Sequence, residues 1–325
     1  MPRLIETPLD RGIPTIGAVL DADELGRQLS ALLGWDTSRG IRLRVLRWKK
    51  ANRCTFEITL ETASVCQELI GKVYAEDRFD VFRTMEEIRQ AGFGSEAEFA
   101  IPRPIAFLSS LRLLLYEKAA GTTARRMIVR SSEADRAHAA ERCALWLARF
   151  HDRAPRSGPV VHLNEQLRAW AWRDLPDPGE PFGNTASRLF EQLTTRATRL
   201  GSSEMCAGHG MYTPSQVVLG DGRTVTFDWD TYQVADPSHD VARFLVALKQ
   251  LGLKCFGSIH ALDAAAETFK QAYVATRGPD VIARLPLQEA AICFERARRD
   301  VENQDVGWRE RTEALLNEGL RVLQA

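Results

Sequence analysis

Two stretches near the start of the chain alternate apolar and polar residues with a period of two. In residues 41–48, isoleucine, leucine and valine alternate with arginines, and residues 54–61 alternate in the same way. This period is typical of a strand with one buried face. The basic link 49–53 is short enough for a turn, so the two stretches are predicted to pair as an antiparallel hairpin.

Three further apolar runs predict the rest of a sheet. Residues 68–74 predict a third strand, and residues 105–108 and 111–116 predict two more. Lys72 lies inside the third strand, among apolar residues. A lysine in that position needs an anionic partner, or it must extend its ammonium along a sheet edge to reach water.

The remaining chain is mostly helical in pattern. Apolar residues spaced three and four apart and acidic helix starts predict seven helices, at 21–33, 80–91, 134–151, 185–200, 241–251, 262–276 and 288–323. Residues 1–20 hold three prolines and two glycines and predict an extended leader. Residues 153–183, rich in proline, glycine and tryptophan, predict an irregular insertion in which Trp170 and Trp172 can contact a substrate or the core. Strands followed by helices indicate an α+β fold.

A second hairpin is predicted in the middle of the helical part. The apolar runs 216–219 and 224–229 flank Gly220-Asp221-Gly222, and Asp-Gly between such runs is a strong hairpin signal. Gln216 opens the first run and Asp228 lies near the end of the second, so the two side chains are predicted to lie side by side. An amide oxygen and a carboxylate suit Mg²⁺, although solvated hairpin ends are the alternative.

Composition excludes several classes of protein. The 325 residues suffice for two lobes with their own cores, and the formal net charge of zero gives no global attraction to nucleic acid or membranes. The chain lacks a P-loop, a dinucleotide-binding motif and an apolar run long enough to cross a membrane. The N-terminus lacks a signal-peptide core and the six cysteines form no CxxC pair, so we expect a cytoplasmic protein with cysteines buried as small apolar side chains.

The stretch 206–245 resembles the catalytic segment of the aminoglycoside phosphotransferase family. That segment reads roughly H-G-D-x-x-P-x-N, a hairpin, D-W or D-F, then G-D-P-x-x-D. The matching residues here are His209-Gly210, Pro214, Asp228-Trp229, Asp236-Pro237 and Asp240. Two positions depart: Met211 occupies the position of the catalytic aspartate, and Gln216 that of the metal-binding asparagine.

The resemblance implies a protein-kinase-like fold with two lobes. The small N-terminal lobe, residues 1–118, would carry the antiparallel sheet and bind nucleotide. The larger and mostly helical C-terminal lobe, residues 119–325, would carry the catalytic-type loop and hairpin. The implied ligands are ATP or another nucleoside triphosphate, Mg²⁺ and a small hydroxylated or aminated molecule.

The resemblance also implies roles for residues of the first lobe. Lys72 would hold the α- and β-phosphates and pair with a carboxylate on the next helix. Glu86 is our candidate for that carboxylate; Glu87 is a second, and another register places Val81 there. The basic turn that includes Lys50 would cover the phosphates, although a solvated strand face is the alternative.

In the second lobe, Gln216 and Asp228 would hold Mg²⁺ and His209 would brace the loop. Asp240 would accept hydrogen bonds from that loop. His151, in a tail that resembles the family's L-A-x-L-H, is expected to be a capping or core histidine.

Met211 leaves three hypotheses open. A thioether cannot accept a substrate proton, and the neighbouring Asp230, Thr213 and Tyr212 are weak replacements for a base. The first hypothesis is therefore a nucleotide-binding protein with impaired phosphoryl transfer. Such a protein would act as a binding module and could have a protein partner. The second is an active small-molecule kinase that depends on positioning or another base. The third is a nucleic-acid-binding module using the basic strip 39–53, which the zero net charge argues against.

Overall fold

The chain folds into two compact units, Met1–Ala120 and Gly121–Ala325, in a computed structural model. The structure describes residues 10–38, 40–61, 66–170, 182–201 and 204–324. The first unit holds an antiparallel sheet and the second is mostly helical, so the predicted α+β class is confirmed.

The first unit is built on a five-stranded sheet. Its strands are β1 (Ile41–Lys49), β2 (Arg53–Glu61), β3 (Cys66–Tyr74), β5 (Pro104–Leu108) and β6 (Leu113–Glu117), with a two-residue strand β4 (Phe99–Ala100) between β3 and β5 in the chain. The sheet order is β1-β2-β3-β6-β5, and every neighbouring pair is antiparallel. Trp48 lies opposite Cys54, which confirms the first predicted hairpin.

The first twenty residues correct the expectation of an extended leader over 1–20. Residues 1–9 lie outside the described part, but residues 16–20 form helix α1 (Ile16–Leu20). Ile13, Ile16 and Val19 are buried in the core of the first unit. Ile16 and Val19 lie three residues apart on one face of α1, and the burial of that face outweighs the glycines and prolines around it.

Helix α2 (Ala22–Leu33) ends where predicted and begins one residue later than the predicted 21–33, because Asp21 is its N-cap. The Asp21 side chain accepts a hydrogen bond from the Glu24 amide at 2.9 Å, and Gly34 ends the helix at φ 68°. The predicted helix 80–91 is shorter: α3 (Phe79–Ile88) passes into a π-helical turn, Arg89–Phe93, in which Gly92 has φ 102°.

The second unit contains eight described helices. They are α4 (Ala124–Arg130), α5 (Glu133–Arg153), α6 (Leu163–Ala169), α7 (Gly183–Ala197), α8 (Ser238–Phe256), α9 (Asp263–Arg277), α10 (Leu285–Asn303) and α11 (Trp308–Val322). The predicted helix 288–323 is therefore two helices, which separate where Gln304 and Gly307 adopt φ 50° and 74°. Helix α6 makes part of the expected irregular insertion regular, whereas Trp172 lies outside the described residues.

Short strands place the central segment in the second unit. They are β7 (Thr122–Thr123), β8 (Cys206–Gly208), β9 (Val217–Gly220), β10 (Arg223–Thr226) and β11 (Gln233–Ala235). Strands β9 and β10 form the second predicted hairpin, and Asp221 and Gly222 turn it with φ 51° and 73°, as a type I′ turn requires. Gln216 and Trp229 lie in 3₁₀ turns just outside the strands, rather than inside them as predicted.

Two composition-based expectations can be compared with the fold. Cys54, Cys143, Cys206 and Cys293 are buried as expected, but Cys255 is exposed near the end of α8. No helix within the described ranges has both the length and the apolar character that crossing a bilayer demands.

Candidate active site

The loop that starts at His209 is held by the carboxylate of Asp240, in the first turn of α8. Asp240 Oδ2 accepts the backbone N–H of His209 at 2.6 Å, and Oδ1 accepts that of Gly210 at 2.9 Å. Gly210 has φ 80°, and a Cβ there would lie 2.2 Å from the carbonyl oxygen of Thr231. A glycine is therefore required for the loop to lie this close to Thr231.

Asp240 carries its charge in a fully enclosed position. His151 Nε2 lies 3.4 Å from Asp240 Oδ2, and His151 Nδ1 lies 2.7 Å from the Tyr273 hydroxyl. Burial alone would raise the pKa of the Asp240 carboxyl, but the hydrogen bond and charge of His151 lower that pKa to about 2. Burial opposes protonation of His151, yet its contacts with Cys206, Tyr273 and Asp240 raise its pKa well above the ordinary value. The pair is therefore ionic at neutral pH.

His209 braces the loop through both ring nitrogens. Nδ1 accepts the backbone N–H of Met211 at 3.4 Å, and Nε2 lies 3.1 Å from the Phe227 carbonyl oxygen. The carbonyl can only accept, so a proton is assigned to Nε2, which donates to it. The ring is also buried against Trp229, with centroids 4.7 Å apart. Both nitrogens are engaged, which fits bracing rather than proton transfer.

Buried aromatic side chains pack against one another and against the loop. The Trp146 ring on α5 lies 5.7 Å from Tyr212 and 5.9 Å from Trp229, and Phe150 lies 5.2 Å from Trp229. The Tyr212 hydroxyl donates to the carbonyl oxygen of Cys143 at 2.8 Å. These rings are buried, so the loop rests on a rigid surface.

A third buried histidine, His239, lies beside Gly210. His239 Nε2 accepts from Arg243 Nε at 3.4 Å, and Arg243 Nη1 in turn pairs with Glu295 at 2.8 Å. Burial, and then the charge of Arg243, lower the pKa of His239 to about 4. His239 is therefore neutral at neutral pH, in contrast to His151.

Met211 follows Gly210 and is partly exposed. Its amide donates to His209, so the backbone is fixed while the thioether occupies the position that carries a carboxylate in the resembled family. A thioether sulfur is a weak acceptor and takes no proton at neutral pH. The loop has no general base at this position.

Gln216 and Asp228 lie at the open end of the β9–β10 hairpin. The Phe227 amide donates to the Gln216 carbonyl oxygen at 3.0 Å, which extends the ladder and brings the two predicted residues close together. Asp228 is partly buried and adopts φ 76° and ψ 63°, a left-handed conformation that costs a non-glycine residue roughly 1 kcal/mol or more. Such strain is common at functional sites.

The donor atoms at this end suit a hard cation. Gln216 Oε1 accepts a hydrogen bond from Thr213 Oγ1 at 2.6 Å, which orients the amide and leaves its second lone pair for another partner. Within the described ranges no cluster of three or more His, Cys, Asp or Glu side chains is placed to hold a metal. A cation held by Gln216 and Asp228 would therefore need further oxygens from phosphate or water, as Mg²⁺ commonly does.

Lys72 lies in the first unit, in the interior of β3. It is only 3% exposed, and its Nζ lies 5.8 Å from the centre of the Tyr74 ring. The alternative of a lysine that extends along a sheet edge is wrong, because β3 pairs with β2 on one side and with β6 on the other.

The carboxylate expected to pair with Lys72 stays a prediction. Glu86 Oε1 lies 3.1 Å from Arg89 Nη1, and Glu87 lies 3.8 Å from Arg83. Val81, the position given by the other register, is buried.

Lys50 is exposed in the turn between β1 and β2. Sequence reasoning missed Asp10, which holds this turn by accepting from the Trp48 indole and from the Ala51 amide, each at 2.9 Å. Part of the basic strip is neutralised, since Arg44 pairs with Glu57 at 2.7 Å.

Sequence reasoning also missed the hydroxyls that support the loop. Thr213 orients Gln216, Thr231 donates to the His209 carbonyl oxygen at 3.0 Å, and Tyr273 hydrogen-bonds His151. Hydroxyl residues have no spacing that marks such contacts in a sequence.

The fold is similar to those of several solved kinases. A thermostable mutant of aminoglycoside phosphotransferase APH(4)-Ia has a TM-score of 0.65 at 14% identity, over 92% of this chain and 98% of that one. A choline/ethanolamine kinase family protein from Mesorhizobium loti has a TM-score of 0.66 at 12% identity, over 93% and 95%. Amicoumacin kinase hAmiN, solved with AMP-PNP, Ca²⁺ and Ami, has 0.66 at 13%, over 96% of both chains. At these identities the likeness shows the protein-kinase-like fold.

No curated protein sequence matches the chain significantly. The model of the APH phosphotransferase enzyme family, however, matches residues 52–285, which is more than half of the chain and spans β3, the clamped loop and the β9–β10 hairpin. This protein therefore belongs to the APH phosphotransferase enzyme family.

Proposed function

We propose that this protein binds a nucleoside triphosphate with Mg²⁺ and a small hydroxylated or aminated molecule, and that its phosphoryl transfer is impaired because Met211 replaces the catalytic aspartate. One observation carries the proposal. The loop is clamped by Asp240 and braced by His209 as a working loop would be, yet its acceptor position holds a thioether.

Several residues support the ligand assignment. Lys72 is buried at the position that implies phosphate binding, with Glu86 as its candidate partner and Lys50 in the covering turn. Gln216 and Asp228 supply two oxygen ligands at one end of a hairpin. Two structural neighbours agree with this: hAmiN was solved with AMP-PNP and Ca²⁺, and an APH(4)-Ia variant with AMP-PNP and hygromycin B.

The chemistry explains why loss of one carboxylate impairs transfer without removing binding. Phosphoryl transfer depends mainly on positioning and on stabilising charge, which Lys72 and the cation held by Gln216 and Asp228 would supply. A general base adds about 10²–10⁴-fold by aligning and accepting the substrate proton. With Met211 in place of the aspartate, only this contribution of the general base is lost.

An active small-molecule kinase is the second candidate. The joint presence of Lys72, Gln216 and Asp228 favours it, together with the oriented amide of Gln216, because a chain without selection for nucleotide binding has no reason to keep them. A nucleic-acid-binding role for the strip 39–53 is disfavoured by zero net charge and by the Arg44–Glu57 pair.

Thermal unfolding with ATP or GTP, each with and without Mg²⁺, tests the binding proposal. We expect a nucleotide to raise Tm more with Mg²⁺ than without, because a ligand that binds only the folded state stabilises it. If neither nucleotide shifts Tm, both the impaired-transfer hypothesis and the active-kinase hypothesis are contradicted. If the wild-type protein phosphorylates members of a panel of alcohols and amines at ordinary kinase rates, the hypothesis of impaired transfer is wrong and the hypothesis of an active kinase replaces it.

A further inference from the structure

A cavity of the helical unit lies among its last four helices, α8 to α11. It has a volume of about 410 Å³, which is in the range of small-molecule sites. Leu245, Lys249 and Val322 are buried in its lining, whereas Arg321 is exposed, so the cavity opens to solvent. Its lining includes no residue of the loop at His209 or of the β9–β10 hairpin, so it is separate from the candidate active site.

The three cations in the lining already have carboxylate partners. Lys249 Nζ lies 2.6 Å from Glu318 Oε1, and Arg321 Nε lies 2.7 Å from Oε2 of the same carboxylate. Lys270 Nζ lies 2.6 Å from Glu267 Oε2. These cations are therefore engaged before the remaining acids of the lining are considered.

Glu289 on α10 is a carboxylate of the lining that has no such partner. In the described part of the chain, no basic nitrogen lies within 4.0 Å of its carboxylate oxygens and no hydrogen bond reaches them. Asp263, the other remaining acid of the lining, lies 3.0 Å from His260. Glu289 thus faces the cavity with its hydrogen-bonding capacity unused.

Burial makes the charge of Glu289 costly. It raises the pKa of this carboxyl to about 7, and the charge of Glu318 acts in the same direction. Lys249, Lys270 and Arg321 oppose that shift without forming a bond to the carboxylate. A cation that entered the cavity and donated to Glu289 would favour the charged form of the carboxyl.

The uncharged part of the lining is apolar. It consists of Leu245, Ala266, Pro286 and Val322. Among the described residues no group of three or more His, Cys, Asp or Glu side chains is placed to hold a metal ion, so one available carboxylate beside an apolar wall favours an organic cation. We propose that this cavity binds a small aliphatic amine, whose ammonium group donates to Glu289 and whose hydrocarbon part packs against the apolar wall. The proposal does not depend on the proposed nucleotide function.

Calorimetric titration of the full chain with hexylamine at pH 8, without nucleotide or divalent cations, tests the proposal. We expect saturable binding that weakens by about tenfold or more in Glu289→Gln, which keeps the shape of the side chain and removes its charge. The matched control is Glu313→Gln, which removes an exposed carboxylate of α11 outside the cavity lining and should bind like wild type. Hexanol, with the same hydrocarbon part and no charge, should bind about tenfold or more weakly than hexylamine.

Binding of hexylamine to wild type should also depend on pH. A carboxyl with a pKa of about 7 is mostly ionised at pH 8 and mostly protonated at pH 6, so the apparent affinity should fall by about tenfold between them. His260, beside Asp263, is a second group whose protonation would repel an ammonium ion. Glu289→Gln should lose this pH dependence, whereas His260→Gln should keep it.

Misfolding does not account for the expected loss, because Glu289→Gln removes an unpaired and enclosed charge and should have a Tm at pH 8 no lower than that of wild type. The proposal is overturned if wild type shows no saturable binding of hexylamine. It is also overturned if Glu289→Gln binds hexylamine like wild type, because the amine would then occupy another site, such as the proposed acceptor site near Met211. Equal affinities for hexanol and hexylamine, or equal losses in Glu289→Gln and Glu313→Gln, would contradict the contact between the ammonium group and Glu289.

Discussion

Asp240 Oδ2 lies 2.6 Å from the backbone nitrogen of His209, across 31 positions of sequence. One carboxylate on α8 thus fixes the start of the catalytic-type loop, while its charge is balanced by buried His151. The clamp is independent of Met211, so loop geometry and proton acceptance can be tested separately.

Replacing Asp240 should destabilise the fold. Asp240→Asn leaves the charge of His151 buried without its partner, which typically costs about 3–5 kcal/mol. Chemical denaturation measures the loss in unfolding free energy. Asp221→Asn, at an exposed hairpin turn, is the matched control and should change it by less than about 0.5 kcal/mol. Equal stabilities of the two variants would contradict the clamp.

Gly210→Ala should destabilise more than its conformation alone explains. Gly257 has a similar φ of 75° and open space for a Cβ, whereas at Gly210 a Cβ would lie 2.2 Å from the Thr231 carbonyl oxygen. Gly257→Ala should cost about 1–2 kcal/mol, the left-handed penalty. Gly210→Ala should cost about 1–3 kcal/mol more because of the clash. If the two variants have the same denaturation midpoint, the loop can move away from Thr231 without a cost in stability, and the predicted clash is wrong.

His239 should make the protein sensitive to acid. Its folded pKa of about 4 lies below the ordinary value of 6.5, so the unfolded chain takes up a proton first as the pH falls. The stability held above pH 6.5 is therefore lost between pH 6.5 and 4, by about 3 kcal/mol at 1.36 kcal/mol per unit. The variant His239→Gln should not show this loss of unfolding free energy between pH 6.5 and 4. Parallel stability curves for variant and wild type over that range would exclude the neutral-histidine assignment.

Met211→Asp should restore turnover without changing nucleotide affinity. The new carboxylate would stand in a loop that Asp240 and His209 already hold in place. We expect a gain of up to about 10²–10⁴-fold in transfer to an accepted substrate, measured as ADP release. Met211→Asn has similar polarity but no base and should gain little. If Asn and Asp raise the rate equally, acceptance of a proton is not what wild type lacks.

Asp228→Ala should remove the Mg²⁺ dependence of nucleotide binding. A carboxylate offsets the cation charge, and the amide of Gln216 cannot do so alone. Nucleotide titrations with and without Mg²⁺ should then give the same Kd. Gln216→Asn, which keeps an amide oxygen, should retain a difference between the two titrations. If Mg²⁺ changes the nucleotide Kd of Asp228→Ala as much as that of wild type, the cation does not bind at Asp228.

The local chemistry of the sequence determined the elements whose causes are local. Period-two alternation fixed β1 and β2, Asp21 and Gly34 fixed the ends of α2, and Asp221-Gly222 fixed the β9–β10 turn. The motif around His209 also predicted that Asp240 would accept hydrogen bonds from the loop. Each of these depends on neighbouring residues or on a motif of fixed order.

The tertiary structure decided what depends on distant segments. Residues 13–19 fold as part of the core because the sheet offers them an apolar surface, which outweighs a composition typical of extended chain. His151, Asp240 and Tyr273 come from three different helices, α5, α8 and α9. Burial and charge at these sites are set by packing between helices and hairpin, and no spacing along the chain encodes them.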